Sequence, residues 1–410
     1  MDYLFKVYYK FKDDYENIYN ERYNFFTTLK TNFMISPYKT NQKFELYYLY
    51  NKFTDNLIEK IRENDNKLKE IEMKLPVIAK RSFLIDIITS ELESTNILEG
   101  IHTKKNELIE TTRNIFDKKI DLKSRFSSMI NSYYLLLDEE NFLKLPTNCN
   151  DVRKIYDEIT NGEIAKSDLP DGTFFRKETV FVQKRNSVNG EAIHEGLYGE
   201  KEIELAISNM LNFLNNDDIS IILKVAISHY YLAYVHPYYD GNGRLGRFLS
   251  SMFINSSYNH LTSMSLARGS YIKKVNYYKA FKKTNSVINC GELNYFVDEF
   301  LQILIAGQED ILENLKEKIE KLEFAYDFIK NDLKNADTDL KKSILFMLYQ
   351  SYYFDYNSGI SRDLLIEYNR DNENVSKIKR ELNELEKCGL IKKIKNRPII
   401  YAVNPNDKLR

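Results

Sequence analysis

Apolar residues recur every three or four positions along much of this 410-residue chain, which is the spacing of a helix that buries one face. The pattern predicts a helix over residues 53–75, ended by Pro76, and a second helix over 81–99 with Gly100 as its C-terminal cap. A further apolar stripe over 219–234 predicts another long helix. Together these patterns predict a mainly α-helical protein.

One more stripe, over residues 312–333, alternates strictly between steps of three and four positions. Sustained over about three heptads, this spacing is typical of a packed helix pair or a short coiled coil. The sequence leaves two alternatives open here. The stripe belongs either to a long helix docked on its own domain or to the seam of a homodimer.

The last seventy residues change in character. Helical patterns at 340–353, 361–369 and 373–389 precede two strand-like runs within 390–404. Three helices followed by a hairpin in this order are typical of a winged helix. Residues 375–410 hold ten Lys and Arg against four Asp and Glu, a local net charge of +6.

Turn-forming residues concentrate in one segment between the helices. Residues 145–199 contain five of the fourteen glycines, which predicts a loop-rich stretch. Within it, residues 174–183 (FFRKETVFVQ) are rich in aromatic and β-branched side chains and predict a strand or a hairpin.

Composition excludes several classes of protein. Glycine (14) and proline (7) are too scarce for a collagen-like or turn-dense all-β chain. The net charge of −1 argues against general affinity for nucleic acids. Three widely separated cysteines predict neither a disulfide framework nor a zinc site. Because acidic residues stand near the N-terminus where a signal peptide would be basic and then apolar, we expect a cytoplasmic protein.

The scarce glycines cluster at one place, since Gly241, Gly243 and Gly246 fall within six residues. GNGRLG has the form of a dinucleotide-binding fingerprint, but that motif requires a preceding strand and an acidic residue about 20 positions later. The preceding segment here has helical spacing, and no acidic residue occurs between Asp240 and Glu292. A dinucleotide fold is therefore not predicted. The acid-free interval contains eight Lys and Arg, which suits an anionic ligand.

The residues around this cluster predict phosphate chemistry. Pro237 disfavours helical geometry at His236, so one helix ends there and the next begins near Arg244. Glycine N–H groups and a helix N-terminus together make a phosphate cradle. A lone carboxylate, Asp240, suits Mg²⁺ bound with phosphate oxygens, arginines neutralise phosphate charge, and an imidazole accepts a proton at neutral pH. The constellation predicts nucleotidyl or phosphoryl transfer.

Residues 236–247, HPYYDGNGRLGR, resemble the HxFx(D/E)GNGRxxR signature of Fic (filamentation induced by cAMP) proteins, with Tyr238 in the place of the usual Phe. The resemblance implies AMP transfer from ATP to a Ser, Thr or Tyr hydroxyl of a target protein, with self-modification included. It implies His236 as general base and Asp240 as Mg²⁺ ligand. It assigns the catalytic and phosphate-binding groups to Gly241, Asn242, Gly243, Arg244 and Arg247. Related toxins that phosphorylate carry Lys at the position of Gly243, so the small residue favours AMP transfer.

The resemblance extends over residues 80–305. Tyr277, Tyr278 and Asn285 match a segment that flanks the adenine pocket in related Fic proteins. The candidate hairpin at 174–183 stands where the family places its flap, which holds the target segment by backbone hydrogen bonds. The alternative for 174–183 is an ordinary surface hairpin.

A second short motif precedes the core. Thr95 and Glu99 are four residues apart, so they share a helix face, and Glu99 lies in the last turn, where a carboxylate opposes the helix dipole. The placement predicts an external cationic partner. T-x-x-x-E-G resembles the inhibitory (S/T)xxxE(G/N) motif of Fic proteins, which implies autoinhibition by pairing of Glu99 with Arg247. In some relatives the same Glu also helps to remove AMP, and the sequence leaves this open.

The basic tail leads to a rival hypothesis. A winged helix most often reads DNA, although many such modules bind protein instead. The whole chain would then be a DNA-binding regulator whose Fic core senses nucleotide without turnover. The candidate DNA contacts, within 375–397, are Lys377, Lys379, Arg380, Lys392, Lys393, Lys395 and Arg397.

The predicted organisation has four parts. Residues 1–140 form a helical N-terminal region that includes an inhibitory helix at 81–100, and residues 1–80 predict no function. The Fic core follows at 141–306, then a helical linker at 307–339 and the winged-helix-like domain at 340–410. We expect ATP and Mg²⁺ as substrate and metal.

Overall fold

Helices make up most of the structure, a computed structural model that describes residues 2–118, 124–137, 143–183, 191–216, 219–333, 335–355, 358–405 and 409. These ranges contain seventeen α-helices and seven strands, which confirms the predicted fold class. The helices up to the central pair are α1 (Leu4–Lys10), α2 (Tyr15–Tyr23), α3 (Lys52–Met73), α4 (Val77–Glu99), α5 (Lys105–Phe116), α6 (Ser127–Leu135), α7 (Cys149–Ile159) and α8 (Glu200–Leu214). The remaining helices are α9 (Ile221–Val235), α10 (Asn242–Asn255), α11 (His260–Ser263), α12 (Leu266–Ile272), α13 (Lys274–Thr284), α14 (Asn294–Asn331), α15 (Asp339–Phe354), α16 (Arg362–Asn369) and α17 (Val375–Lys387).

The strands form three small antiparallel sheets. Two of these sheets are hairpins, and the third has three strands in the order β5-β7-β6. The strands are β1 (Thr28–Ile35), β2 (Phe44–Leu49), β3 (Phe181–Gln183), β4 (Ala192–Glu195), β5 (Ile360–Ser361), β6 (Ile391–Asn396) and β7 (Ile399–Val403).

The chain divides into two compact units. The first comprises Met1–Leu68 and Ile88–Asp310, and the second comprises Lys69–Ile87 and Ile311–Arg410. The four-part organisation stays a prediction. None of the helices in the described ranges combines the length and the hydropathy that a membrane-spanning segment needs.

The centre of the first unit is the pair of helices α9 and α10, which pack against each other and against α7, α8 and α12. Almost every side chain of α9 is buried, in keeping with a sequence that is apolar on all sides. Helix α9 ends at Val235, directly before His236–Pro237, where the sequence predicted its end. Because α9 and α10 are both buried, the glycine-rich motif that connects them is held at both ends.

The N-terminal region contains a β-hairpin as well as helices, and the sequence patterns did not predict it. Strands β1 and β2 pair antiparallel with an irregularity between Lys30 and Met34. The backbone of Tyr47 continues the pairing to the segment before α14, accepting from Leu293 N at 2.8 Å and donating to Gly291 O at 3.1 Å. The aromatic run in β2 carries strand propensity, but its pairing through Tyr47 with Glu292, 245 residues away, forms only in the folded chain.

The predicted strand at 174–183 is correct only for its last three residues, which form β3 and pair with β4. Residues 184–190, between the two strands in sequence, lie outside the described residues. Residues 174–178 are not in a ladder because their N–H groups donate elsewhere: Phe174 N and Phe175 N to Glu200 Oε1, Lys177 N to Asp171 Oδ1, and Glu178 N to Tyr239 Oη. We call the hairpin of β3 and β4 the flap.

Two predicted helices have different limits in the structure. Helix α4 begins at Val77, directly after Pro76, because proline is well tolerated just before and within the first helical turn. The 312–333 stripe is the second half of α14, a continuous helix of 38 residues. Leu315, Leu322 and Ile329 of this stripe are buried within the chain, which favours the docked helix over a dimer seam.

The C-terminal part of the second unit contains α15, β5, α16, α17, β6 and β7 in that order. The three helices and strands β6 and β7 lie where the sequence placed them, whereas β5 was not predicted. Caps in the sequence define the helix starts: Thr338, Ser361 and Asn374 each accept a backbone N–H at the beginning of α15, α16 and α17. Gly389 follows α17 with a φ of +73°, as a C-terminal glycine cap requires.

Candidate active site

The glycine-rich motif forms a tight turn, residues 236–241, between α9 and α10. His236 has φ 52° and ψ 62°, a left-handed conformation that ends α9. Gly241 has φ 80° and is the N-cap of α10, so the first turn of that helix presents its unpaired N–H groups at the turn. A Cβ at Gly241 would lie 3.0 Å from Thr160 Cγ2, so both the conformation and the space favour glycine.

The amide of Asn242 holds this turn rather than projecting from it. Its Oδ1 accepts from Tyr238 N at 2.9 Å and its Nδ2 donates to Tyr238 O at 2.7 Å. The buried Tyr238 ring stacks on Tyr156 with centroids 3.5 Å apart, and Tyr156 Oη donates to Asp240 O at 3.0 Å. The side chain of Asn242, predicted as catalytic, is therefore engaged in positioning the loop.

His236 is placed to act as a proton acceptor. Its ring donates to the carbonyl of Ala233, which leaves the other ring nitrogen as an acceptor. Burial lowers the pKa of His236 to about 4, and the neighbouring His194 and Arg176 add to the effect. The imidazole is consequently neutral at pH 7, the state that a general base needs.

Arg244 presents an unsatisfied cation at the same turn. It lies in the first turn of α10 and is 1% exposed, and its Nε and Nη1 have no hydrogen-bond partner among the described residues. Its Nη2 lies 4.0 Å from Asp240 Oδ2. A buried guanidinium with unpaired N–H groups is costly unless an anion occupies the site. Together with the N-terminus of α10, the arrangement fits a phosphate.

Arg247 lies one turn further along α10 and is fully engaged by helix α4. Its Nε donates to Thr95 Oγ1 at 2.7 Å, and its Nη2 donates to Glu99 Oε1 at 2.6 Å and to Thr95 O at 3.3 Å. Burial opposes the charge, but the Glu99 carboxylate raises the pKa of Arg247 above its ordinary value. The two residues of the short N-terminal motif thus meet the second motif arginine: Thr95 by hydrogen bonds, and Glu99 by an ion pair in which the arginine is buried and the carboxylate is about a quarter exposed.

Glu99 also lies against the backbone of the glycine-rich turn. A Cβ built at Gly243 would stand 2.1 Å from Glu99 Oε1 and 2.7 Å from Glu99 Cδ. The carboxylate therefore occupies the space over the first turn of α10, where the helix dipole favours an anion. Only glycine at position 243 permits this approach.

Asp240 is the residue that a metal would require here. Its side chain is about half exposed, and Oδ1 accepts from Gly241 N at 2.6 Å. Among the described residues there is no group of three or more His, Cys, Asp or Glu that would hold a metal by themselves. A single exposed carboxylate beside a phosphate-binding turn fits Mg²⁺ that arrives with phosphate oxygens, and does not fit a dedicated protein cage.

The three residues predicted for the adenine pocket lie along α13 and its C-terminal end. Tyr277 Oη lies 2.9 Å from His229 Nε2, and the Asn285 amide oxygen accepts from Tyr230 Oη. Tyr278 Oη donates to the carbonyl of Leu98 at 3.0 Å, one residue before Glu99. This part of α13 therefore contacts the end of α4.

Three residues of the site were not identified from the sequence. Arg176 is fully buried, and its Nε donates to His236 O at 2.9 Å. Tyr156 supports the turn from α7 as described above. Glu91 is also fully buried and accepts from Ala267 N at 2.8 Å and Arg268 N at 3.0 Å. Of these three residues, only Glu91 could have been identified from the sequence, because it precedes Thr95 by four residues and so lies on the same helix face.

The basic residues of the C-terminal tail lie on α17, β6 and the turn after it. Several are paired with acids of the same unit: Lys377 with Glu373, Arg380 with Glu381, and Lys393 with Glu386. The others in the predicted set, for which no ion pair was found among the described residues, are Lys379, Lys392, Lys395 and Arg397. Three of the seven predicted contact residues are therefore engaged in ion pairs within their own unit.

Comparison with known proteins agrees with this geometry. Residues 146–254 match the model of the Fic/DOC family. The chain is 29% identical over 121 residues to protein adenylyltransferase fic-1 of Caenorhabditis elegans, which covers 27% of this chain and 22% of that protein. The matched region thus spans about a fifth of the curated relative.

Solved structures are similar in fold. A Fic family protein from Desulfovibrio desulfuricans G20 superposes with a TM-score of 0.50 and 14% identity, covering 88% of this chain and 98% of that chain. Fic-1 from C. elegans gives a TM-score of 0.42 and 17% identity, covering 64% of this chain and 74% of that chain. The match to the family model, the helical fold and the arrangement of the turn agree, so residues 146–254 form a Fic/DOC domain within this chain.

Proposed function

We propose that this protein is an adenylyltransferase that moves AMP from ATP to a hydroxyl side chain of a target protein. The observation that carries the proposal is the pairing of two groups: the buried guanidinium of Arg244, whose Nε and Nη1 have no hydrogen-bond partner among the described residues, and the neutral imidazole of His236. This combination supplies an anion site and a proton acceptor at the two ends of one six-residue turn. The C. elegans relative that is named a protein adenylyltransferase supports the choice of AMP transfer.

The proposed reaction is a single displacement at the α-phosphorus. The target oxygen forms a bond to phosphorus while the bond to the bridging oxygen breaks, and pyrophosphate leaves. His236 takes the hydroxyl proton on the ring nitrogen that is not bonded to Ala233. The left-handed conformation of His236 ends α9 and places the residue at the start of the turn.

The phosphates are held by this chain's positive groups. Arg244 and the N–H groups of the first turn of α10 bind the phosphate oxygens, and Arg247 adds a second guanidinium once Glu99 releases it. Asp240 is the ligand for Mg²⁺, which when bound neutralises phosphate charge. Tyr277 and Tyr278 would flank the adenine, as the family resemblance implies. The flap would hold the target segment by strand pairing.

We further propose that Glu99 inhibits the enzyme. Its carboxylate neutralises Arg247 and fills the space over Gly243 that an ATP phosphate needs, so two parts of the phosphate site are blocked by one side chain. A phosphate that enters this site meets a negative charge and an occupied volume. Removal of the carboxylate should therefore increase AMP transfer.

The test uses full-length protein, Mg²⁺ and α-labelled ATP, with self-labelling as the readout. We expect weak labelling of the wild type, strong labelling of Glu99→Gly, and none of Glu99→Gly combined with His236→Ala. Intact-mass measurement with each nucleoside triphosphate in turn identifies the transferred group as AMP, another nucleotide or phosphate. Labelling that survives His236→Ala would exclude His236 as the base, and equal labelling of Glu99→Gly and wild type would exclude the inhibitory role.

We propose a second candidate function, DNA binding, for the C-terminal unit, which would act as a winged-helix module. Its support is the order of α15 to β7 and the exposed face of β6, with Lys392 and Lys395 on the strand. A salt-dependent gel shift that survives His236→Ala and is lost in a Lys392→Glu, Lys395→Glu double variant would establish it. A double variant that shifts DNA as well as the wild type would exclude it.

A further inference from the structure

The carbonyl groups that end α9 receive their hydrogen bonds from the flap side of the molecule. A helix leaves its last carbonyls without partners inside the helix, and something else must satisfy them. Here four successive carbonyls accept from the segment 176–197. They are Tyr234 O from His194 Nε2 at 2.6 Å, Val235 O from Leu197 N at 3.1 Å, His236 O from Arg176 Nε at 2.9 Å, and Pro237 O from Arg176 N at 3.2 Å.

Arg176 makes an unusual set of contacts for a buried cation. It is fully buried, and its three guanidinium nitrogens donate to the backbone carbonyls of His236, Val235 and Glu178. Burial lowers the pKa of Arg176 to about 10, so it stays charged at neutral pH. Since burying a charge is costly, a side chain that served only to fill space would be apolar. The contacts instead fix the residue that carries the imidazole.

His194 provides the second connection, directly from strand β4 of the flap. A carbonyl only accepts, so the Nε2 of His194 carries the hydrogen in its bond to Tyr234 O. The ring is buried, which lowers the pKa of His194 and keeps it neutral. A one-residue change in the register of β4 would break this bond.

Gly196 shows how closely the end of β4 passes over the base. A Cβ at this position would stand 2.5 Å from Arg176 Nη2 and 3.0 Å from His236 Cβ. The Gly196 N–H donates to Val180 O at 3.0 Å, so the flap hairpin is closed at this same point. The flap, Arg176 and His236 are therefore in continuous contact.

We propose that Arg176 and His194 are positioning residues that tie the orientation of His236 to the conformation of the flap. The inference rests on the proposed function, because it assigns His236 the role of base and the flap the role of target binding. A target segment that pairs with a flap strand holds that strand in place. Through His194 and Arg176, the strand then holds the backbone at His236 in place. Neither residue contacts Arg244 or the first turn of α10 in the hydrogen bonds described, so the effect falls on the chemical step and not on ATP binding.

The test compares Arg176→Gln and Arg176→Lys in a Glu99→Gly background, using self-labelling from α-labelled ATP. For Arg176→Gln we expect kcat to fall by about 10²-fold, the effect of a misplaced catalytic group, with the KM for ATP unchanged. Arg176→Lys keeps the charge and one donor and should recover part of the rate. The matched control is Arg153→Gln, which also removes a donor to a backbone carbonyl, that of Thr173, and whose other hydrogen bonds go to Asp157 of its own helix.

A second measurement does not depend on activity. NMR titration of the His236 ring, assigned by its loss in His236→Ala, gives its pKa among only five histidines. The charged or titratable neighbours of this ring are His194, Arg176 and Glu99. Removing the positive charge of Arg176 should raise the pKa of His236, and Arg176→Lys should leave it near the parent value.

The outcomes separate the two hypotheses. If the Glu99→Gly parent transfers no group, the proposed function fails, while the titration still decides whether Arg176 sets the environment of His236. An unchanged His236 titration in Arg176→Gln, or a proportional rise in KM with no change in kcat, would overturn the positioning role. Should Arg176→Gln not fold, Gly196→Ala introduces a methyl group between Arg176 and His236. A Gly196→Ala variant with parental kcat and titration would then overturn it.

Discussion

Oε1 of Glu99 lies 2.6 Å from Nη2 of Arg247 and, at the same time, 2.1 Å from the position that a Cβ at residue 243 would take. One carboxylate thus contacts the second arginine of the motif and covers the first turn of α10. The relationship joins residues far apart in sequence, and a side chain at position 243 would force the Glu99 carboxylate out of this position.

The charge of Glu99 should matter as well as its volume. Glu99→Gln keeps the shape and an oxygen that accepts from Arg247, but it removes the ionic attraction. We expect self-labelling of Glu99→Gln to be higher than that of the wild type and lower than that of Glu99→Gly. Glu93→Gln, on the same helix and paired with Lys105 instead, is the control and should label like the wild type. Wild-type labelling of Glu99→Gln beside strong labelling of Glu99→Gly would mean that volume alone blocks the site.

Thr95 should share in the inhibition, because its hydroxyl accepts from Arg247 Nε. Thr95→Val preserves the shape but leaves a buried donor of Arg247 unpaired, at a cost of about 1–3 kcal/mol to the inhibited arrangement. For each 1.4 kcal/mol by which Thr95→Val destabilises the inhibited arrangement, we expect self-labelling to rise roughly tenfold. We also expect a lower melting temperature for this variant. Thr95→Ser restores the acceptor and should behave as the wild type. In the Glu99→Gly background, a further large rise on adding Thr95→Val would contradict a shared role.

Glu91 should make stability depend on pH. Burial raises the pKa of Glu91 to about 8 in the folded protein, against an ordinary value of 4.5. The folded state therefore binds more protons than the unfolded state between these two values, so the contribution of Glu91 is complete below pH 4.5 and is lost as pH rises toward 8. We expect the melting temperature of the wild type relative to Glu91→Gln to decrease from pH 5 to pH 8. Parallel curves for the two proteins would show that Glu91 titrates normally.

Arg22 should anchor the N-terminal region to the segment before α14. Its Nη1 lies 2.7 Å from Glu292 Oε2, and both side chains are buried. Arg22→Ala leaves the Glu292 carboxylate without its cation, which typically costs about 3–5 kcal/mol. Calorimetry or dye-based melting should show a clear loss of stability. The control is Lys60→Ala, from the exposed Lys60–Glu309 pair of the same unit, for which a change below about 1 kcal/mol is expected. Equal losses in the two variants would contradict this account.

Local rules predicted most of the elements. The helical patterns at 340–353, 361–369 and 373–389 match α15, α16 and α17 to within two residues at each end, because the residues that limit these helices lie next to them in the sequence. The hairpin of β1 and β2 was missed because its stability comes from pairing with residues 291–293. The strand at 174–183 was predicted too long, because donors in 174–178 bond to distant acceptors such as Glu200 and Asp171.

The sequence by itself determined the helical fold class, the turn between two helices at 236–241, and the residue types needed for phosphate chemistry, since each depends on spacing along one short segment. Only the tertiary structure decided which groups meet. It showed that the Asn242 amide hydrogen-bonds to the backbone of Tyr238 and that Arg176 donates to the carbonyl of His236. It also showed that two buried donors of Arg244 have no hydrogen-bond partner among the described residues. The contact between Arg176 and His236 joins residues 60 positions apart, and no periodicity or local motif indicates it.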